Sequence, residues 1–409
     1  MTLSSCSKKQ EIVVEPTPIP VIEQEIKEEE KMDCSYLYDV KAIVNKETSL
    51  YLQNEKSELE EVGKVLSDAY IDLGHESIGD KIQLKDSSYY VSIEDVENSQ
   101  RWFQNRNHLL RLSQTVQTKD FYQIEDVQHK VLFQINHKDT YDVYVFPSDS
   151  DPRIGILFQN QILYIPTTDI EEGSTLVNQT IDSNLRIPVL MYHFFYDESV
   201  GEVRADTNYV EVKEFEEQLS TLQHNHYVTL TMRELLYFME RRAQVPSESV
   251  VITIDDGDPS VHTYAYPILK KYGMNATIFL ICGWEEPTLS WNNWEMREDG
   301  IELQSHSFDM HRGGCSGIGH GGLLQCVDYE AGVQDTRMAF DYCDGGFVYC
   351  YPFGDVNDHA KQIIKDDGAL LAFTTEFGKV SQDLDLLALP RVRVIGGNGL
   401  EFFLKSIRE

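Results

Sequence analysis

At 409 residues the chain is too long for one ordinary core, and its length points to two or three domains. It is 41% hydrophobic and 25% charged, the composition of a folded protein, with no run of about 18 apolar residues to cross a bilayer. With 35 basic against 68 acidic side chains the formal charge is −33, which excludes nucleic acid and disfavours anionic lipid, because phosphate binding needs clustered Lys and Arg.

Residues 1–34 read as a disordered tail. Pro, Glu and Lys dominate, and EIKEEEK, from Glu25, is a charge run. Leu3-Ser4-Ser5-Cys6 resembles the end of a bacterial lipoprotein signal, where a Cys after small residues is cleaved and acylated; the basic and apolar parts of such a signal are missing upstream. The expectation is a lipid-tethered or secreted protein on the extracellular face of a bacterial membrane, touching that membrane only through lipid on Cys6. The other cysteines are Cys34, Cys282, Cys315, Cys326, Cys343 and Cys350. None forms a CxxC pair, which argues against structural zinc. Cys315 with Cys326, or Cys343 with Cys350, could be bridged in an exported protein, but half-buried free thiols are the expected state.

Residues 35–103 show short β-rich runs at 36–44, 49–52, 69–73, 81–84 and 89–93, separated by polar or Gly-containing turns, as in a small all-β barrel-like module. Residues 104–173 repeat the theme. YYVSIEDVE from Tyr89 and LYIPTTDIEE from Leu163 share a strand ending in an acidic turn, about 74 residues apart, and NKETSLY and TKDFY match at a similar offset. This faint duplication resembles the Src-homology-type barrels found beside catalytic domains in bacterial wall enzymes. Such modules bind polymer or act as spacers. Residues 174–185 read as a linker.

From Arg186 to Glu409 strand and helix signals alternate. IPVLMYHFF is a strand carrying His193, and VKEFEEQLSTLQH is an amphipathic helix. TMRELLYFMERRA starts with Thr231 as N-cap and Glu234 at the capping-box position. Then come VVITI, the helix YAYPILKKYG closed by Gly273, NATIFLI, a helix around WNNWEMRED with Ser290 as N-cap, IELQS, DYEAGVQDTRMAFDY, FVYCYP, DHAKQIIKDDG, LLAFTT and PRVRV. The alternation predicts an α/β fold, a closed or nearly closed parallel barrel.

Active sites of such barrels lie at the carboxyl ends of the strands. There stand His193, then Asp255-Asp256-Gly257, His306 and His311, and the Pro352-Phe353-Gly354 turn. His306 and His311 would be about 140° apart on a helix, so shared work requires a loop, which the following glycines permit. One carboxylate and two imidazoles make an open three-ligand site for zinc or a similar divalent ion, and the second carboxylate of the pair is then free to take a proton.

These motifs in this order, PVLMYH, FEEQL, ITIDDG, NATIFLI, ELQSHSFDMH, YPFG and LPRVRV, resemble the polysaccharide deacetylases of carbohydrate esterase family four over residues 186–409, nearest the poly-N-acetylglucosamine N-deacetylase branch. The resemblance implies a deformed (β/α) barrel and hydrolysis of N-acetyl groups on polysaccharide to acetate and free amine. It implies a divalent metal, zinc first and cobalt or nickel as alternatives. It makes Asp255 the general base, Asp256, His306 and His311 metal ligands, and the Phe353 backbone N–H an oxyanion donor. An O-acetyl esterase on xylan-type polymer, and a catalytically weak polymer-binding surface protein, are the alternatives. Three departures stand out. The second His comes five residues after the first, with Met310 at the usual position. Cys350 stands where many relatives have a base-orienting Arg. The late Leu-x-x-His motif is replaced by LPRVRV, which leaves the general acid open, with His193 a candidate by position. Trp284, Trp291 and Trp294 read as core or rim packing more readily than as a sugar groove. His320 and His359 read as surface loop residues, and His224 and His226 as helix-end residues.

Overall fold

The computed structural model describes residues 41–98, 107–173, 181, 183–284, 296–297, 299–316 and 319–408. These fall into two compact units, residues 41–98 with 113–173 and residues 107–112 with 181–408. The tail with Cys6 and Cys34, the helix expected from Ser290, and Trp291 and Trp294 lie outside the described residues. Among the described residues no helix is long and apolar enough to cross a membrane.

The first unit is all β. Its strands are β1 (Lys41–Val44), β2 (Thr48–Gln53), β3 (Leu59–Val65), β4 (Tyr70–Ile78), β5 (Lys81–Leu84), β6 (Tyr89–Ser92), β7 (Val96–Asn98), β8 (Thr115–Gln117), β9 (Tyr122–Glu125), β10 (Val131–Ile135), β11 (Thr140–Val145), β12 (Arg153–Phe158) and β13 (Gln161–Pro166). They run in one antiparallel order, β7-β1-β4-β5-β6-β2-β3-β10-β9-β13-β12-β11-β8. Read outward from the β3–β10 junction, both halves follow the same path. β3-β2-β6-β5-β4-β1 is answered by β10-β9-β13-β12-β11-β8. Val44 pairs with Val96, and 74 residues on Thr118 bridges Ile170. The duplication heard faintly in the sequence is therefore a repeat of topology.

The junction itself has two-fold character. Thr48 faces Val65 in one repeat and Tyr122 faces Ile135 in the other, so Val65 corresponds to Ile135 and Gly63 to Phe133. Across the junction Val65 meets Phe133, Lys64 meets Gln134 and Gly63 meets Ile135, a self-complementary register centred on Lys64 and Gln134. Gly63 is required there, because a Cβ would sit 2.1 Å from the Gln134 carbonyl oxygen. β3 was not expected from the sequence. Its consecutive Glu60 and Glu61 are both exposed, and of its seven residues only Gly63 and Val65, two apart, are buried.

The second unit is a parallel barrel. β14 (Val189–Tyr192), β23 (Leu389–Arg393), β22 (Leu371–Phe377), β21 (Val348–Cys350), β20 (Ile301–Ser305), β19 (Ala276–Leu280) and β18 (Ser249–Ile254) follow in order, and β14 pairs back onto β18 to close seven strands. β17 (Val228–Thr229) adds to β18. β15 (Phe194–Tyr196) and β16 (Tyr209–Glu211) form a separate parallel pair after His193. All six residues of β18 are buried, as expected of a strand with filled space on both faces.

The barrel's helices are built by local signals. α1 (Val212–His224) is capped by Glu211, which accepts from the Lys213 and Glu214 N–H groups, and it buries Phe215, Gln218, Leu219 and Leu222. α2 (Met232–Met239) has the expected Thr231/Glu234 capping box. α3 (Tyr266–Tyr272) stops at Gly273, which adopts φ +62°. α4 (Tyr329–Tyr342), α5 (Asp358–Asp366) and α6 (Gly399–Arg408) follow.

Candidate active site

β18 ends by delivering Asp255 and Asp256 to the barrel mouth. Asp256 adopts φ +74° and Gly257 φ +72°, and a Cβ on Gly257 would lie 2.6 Å from Leu280 Cδ2. Glycine therefore makes the bend and Asp256 shares its left-handed conformation. Ser307 (φ +81°) and Phe353 (φ +61°) are likewise non-glycine residues in that region. Three such residues at one rim mark a place where backbone strain is held by its surroundings.

Asp256 Oδ1 lies 3.4 Å from His306 Nε2 and 3.5 Å from His311 Nε2. The ligand atoms of this trio all lie within 4.8 Å of one another. A tetrahedral cation with bonds of about 2.0–2.1 Å holds neighbouring ligand atoms roughly 3.4 Å apart, so the donor set fits one. His306 Nδ1 is 2.7 Å from the Cys350 carbonyl oxygen. A carbonyl only accepts, so Nδ1 is a donor and Nε2 is the nitrogen turned to Asp256. In spite of burial, Cys350 and the Asp256 and Asp255 carboxylates hold the His306 ring well above the usual imidazole range, so a cation at Nε2 would replace a proton there. Burial, with His306 beside it, holds His311 down to about 4, so its ring is neutral at neutral pH.

The loop from His306 to His311 is tied at several points. The Ser307 N–H donates to Ser305 Oγ and the Met310 N–H to Ser307 Oγ. The Phe308 and Asp309 N–H groups donate to the two carboxylate oxygens of Asp335, at 2.9 and 2.7 Å. Asp335 sits on the buried stripe of α4 with Gly332, Thr336 and Ala339. A carboxylate on that stripe was the available signal for its role, and sequence reasoning passed over it. This anchoring is why a five-residue spacing brings both imidazoles to one point.

Asp255 is 2% exposed and faces a cation that sequence reasoning missed. Arg391 of β23 donates from Nη1 to Asp255 Oδ1 and from Nη2 to Asp255 Oδ2, each at 2.7 Å. Its other three N–H groups reach Thr253 Oγ1, the Thr374 carbonyl and Cys350 Sγ. All five guanidinium donors are thus satisfied, the condition under which a buried ion pair is tolerable. Burial alone would raise the Asp255 carboxyl, but the Arg391 charge and hydrogen bonds outweigh it and hold it well below the usual carboxylate range. The loop position before Pro352 holds Cys350, as read from the sequence, yet Asp255 still has a guanidinium partner. Cys350 is a thiol pushed up by burial, and the guanidinium arrives from LPRVRV instead.

His193 Nε2 is 3.9 Å from Asp255 Oδ2, and burial lowers its pKa despite the two nearby carboxylates. The Phe353 ring packs 4.6 Å from His311, and the Phe353 N–H makes no hydrogen bond among the described residues. Gly354 completes that turn at φ +77°, where a Cβ would meet Thr375 Oγ1 at 2.1 Å. Trp284 is not core: it is 51% exposed, its Nε1 donates to Asp309 Oδ1, and its ring stands edge-on to His311 at 5.8 Å.

Cys315 and Cys326 form a disulfide, correcting the expectation of free thiols there, while Cys282, Cys343 and Cys350 are buried and not disulfide-bonded. The bridge spans the glycine-rich segment whose His320 and Gly322 N–H groups donate to Asp355. His320 is exposed as expected, whereas His359 is half-buried on α5 with Nε2 2.8 Å from the Val327 carbonyl oxygen. His224 is the last residue of α1 and His226 follows it.

A parallel barrel with a clamped carboxylate and a three-donor pocket at its carboxyl rim defines a hydrolase site. The sequence profile of the polysaccharide deacetylase family matches residues 242–371. YxkH of Bacillus subtilis, named for the same family, is 31% identical over 231 residues, 54% of this chain and 77% of that protein. A poly-beta-1,6-N-acetyl-D-glucosamine N-deacetylase of Staphylococcus aureus is 30% identical, over 48% of this chain and 71% of its own length. Among solved structures, the Streptococcus pyogenes deacetylase PplD in complex with acetate is 26% identical, covering 56% of this chain and all of that one at a TM-score of 0.48. The chain belongs to the polysaccharide deacetylase family, and it is a deacetylase.

Proposed function

We propose that the chain removes N-acetyl groups from N-acetylglucosamine-containing polysaccharide, an exopolysaccharide or peptidoglycan, outside the cell, with a divalent cation held by Asp256, His306 and His311. The observation that carries this reading is the division of labour in the aspartate pair. Asp256 faces two imidazole nitrogens, while both oxygens of Asp255 are engaged by Arg391. Zinc suits a donor set of two imidazoles and one carboxylate, and cobalt or nickel are the alternatives. Bound there, the cation supplies Lewis acidity to the acetyl carbonyl and acidifies water.

The chain's own groups do the rest. Asp255 takes a proton from the attacking water as its oxygen joins the acetyl carbon. The Phe353 N–H donates to the carbonyl oxygen as that atom gains charge. When the C–N bond breaks, its electron pair stays on nitrogen and a proton arrives there, giving acetate and a free amine. His193 is the imidazole at the rim outside the ligand trio, 3.9 Å from Asp255 Oδ2, and we assign it delivery of the proton that Asp255 took from water. Trp284 offers its exposed face to a sugar ring beside His311. Relatives named as poly-N-acetylglucosamine N-deacetylases support the choice of polymer.

The test is acetate release from poly-N-acetylglucosamine, peptidoglycan and acetyl-xylan in parallel. Release from an N-acetylated polymer is expected, lost on chelation, restored by zinc, and reduced by about 10²–10⁴-fold in Asp255→Asn. Full activity of that variant refutes the assigned base, and turnover of acetyl-xylan alone replaces amide with ester hydrolysis. Export with lipid on Cys6 belongs to the same reading, and an unmodified, internal Cys6 in cytoplasmic protein would refute it.

A further inference from the structure

The β unit carries a cleft of about 580 Å³ that the chemistry above does not use. Asp86 and Tyr89 of the first repeat line it with Asp139, Tyr141, Asp142 and Phe158 of the second. The Tyr89 and Tyr141 rings each lie 6.3 Å from that of Phe158, forming an aromatic patch. Among its lining residues are three aspartates, one histidine and no Lys or Arg.

Its hydrogen bonds run inward. Tyr89 and Tyr122 both donate to Asp139 Oδ2, at 2.5 and 2.6 Å. Tyr122 has then used its single proton, so in its 2.7 Å contact with Tyr141 the Tyr141 hydroxyl is the donor. Burial raises all three phenols and keeps them protonated. With these protons committed, the Tyr89 and Tyr141 hydroxyls meet a ligand as acceptors, and the carboxylates of Asp86, Asp139 and Asp142 on the same lining are acceptors by nature. Such a lining fits a ligand rich in donors and positive charge.

We propose that this cleft binds a protonated amino sugar, the deacetylated stretch of the polymer that the barrel produces. An ammonium group has three donors and no acceptor, is attracted to aromatic faces and is drawn by carboxylates. An N-acetylated unit brings an uncharged amide in its place. Product held by the β unit stays tethered to the same chain, which raises the local concentration of the remaining acetylated units. The origin of the ligand rests on the deacetylase reading above; the binding itself does not.

The experiment is calorimetric titration of a glucosamine tetramer and an N-acetylglucosamine tetramer into the full chain bearing Asp255→Asn. The glucosamine tetramer is expected to bind, more weakly at high salt. Near-isosteric Asp86→Asn with Asp142→Asn is expected to weaken it about tenfold further and leave the acetylated tetramer unaffected. In the otherwise native chain that pair should leave acetate release from a short oligomer unchanged and raise KM for long polymer. Amine binding that ignores the pair, or no amine binding at all, overturns the proposal. Failure of the deacetylase reading would show separately, as no acetate from any N-acetylated polymer with the native chain.

Discussion

Arg391 is the residue on which the aspartate pair turns. Its five donors all find partners, and two of them fix both oxygens of Asp255. The Asp255 carboxyl lies below its ordinary value of about 3.9, so it contributes stability above that pH and gives it up as pH falls through the folded value. Arg391→Met leaves a buried carboxylate alone and should cost about 3–5 kcal/mol of stability. Arg391→Lys keeps a charge but not the fork. There kcat/KM should fall about 10²-fold, with the acid limb of the pH–rate profile moved to higher pH as Asp255 regains basicity. An acid limb that stays in place would contradict the clamp. The Asp pair, His306 and His311 were legible because each follows a strand at the barrel mouth. Arg391 was not, because it lies inside a strand and its partner is 136 residues away. The available signal was an arginine in a strand whose neighbours, Leu389 and Val392, are buried, which demands a carboxylate.

At the level of the element, the rim is assembled from turns that would not hold their shape alone. Asp335 grips the loop between the two histidines, and Asp355 grips the glycine-rich segment through the His320 and Gly322 N–H groups. The Cys315–Cys326 bridge closes that segment with a sequence separation of 11, worth about 3 kcal/mol in chain entropy. Cys326→Ser should therefore lower the melting temperature and reduce turnover several-fold, and reductant should reproduce both effects in the native chain. An unchanged melting curve on reduction would show the bridge to be dispensable. The two cysteines were visible in the sequence, but spacing alone does not separate a bridge from two buried thiols. Strand β3 was hidden for a different reason: Glu60 and Glu61 are consecutive and both exposed, which breaks the alternation that would mark a strand.

In the molecule as a whole, strand and helix alternation was enough to predict a parallel barrel, and the faint 74-residue echo was enough to suspect a repeat. The self-complementary register of β3 and β10 was not readable, because both strands carry short, irregular patterns with a bulge in each hairpin. The register makes a sharp prediction. Gly63→Val drives a side chain into the Gln134 carbonyl and should disrupt the β unit, seen as early proteolysis between residues 41 and 166. Acetate release from a short oligomer should persist in the same sample, since the assigned catalytic groups belong to the other unit. Loss of both together would mean that the two units do not unfold independently.

The junction at Lys64 and Gln134 is the pairing that two identical subunits would make. Because both repeats lie in one polypeptide, nothing obliges them to be identical. Where one carries Gly63 the other carries Phe133, and mutations no longer appear twice. Two identical subunits would offer only matched surfaces, whereas two repeats in one polypeptide can differ, so turns of unlike composition can meet around a single cleft.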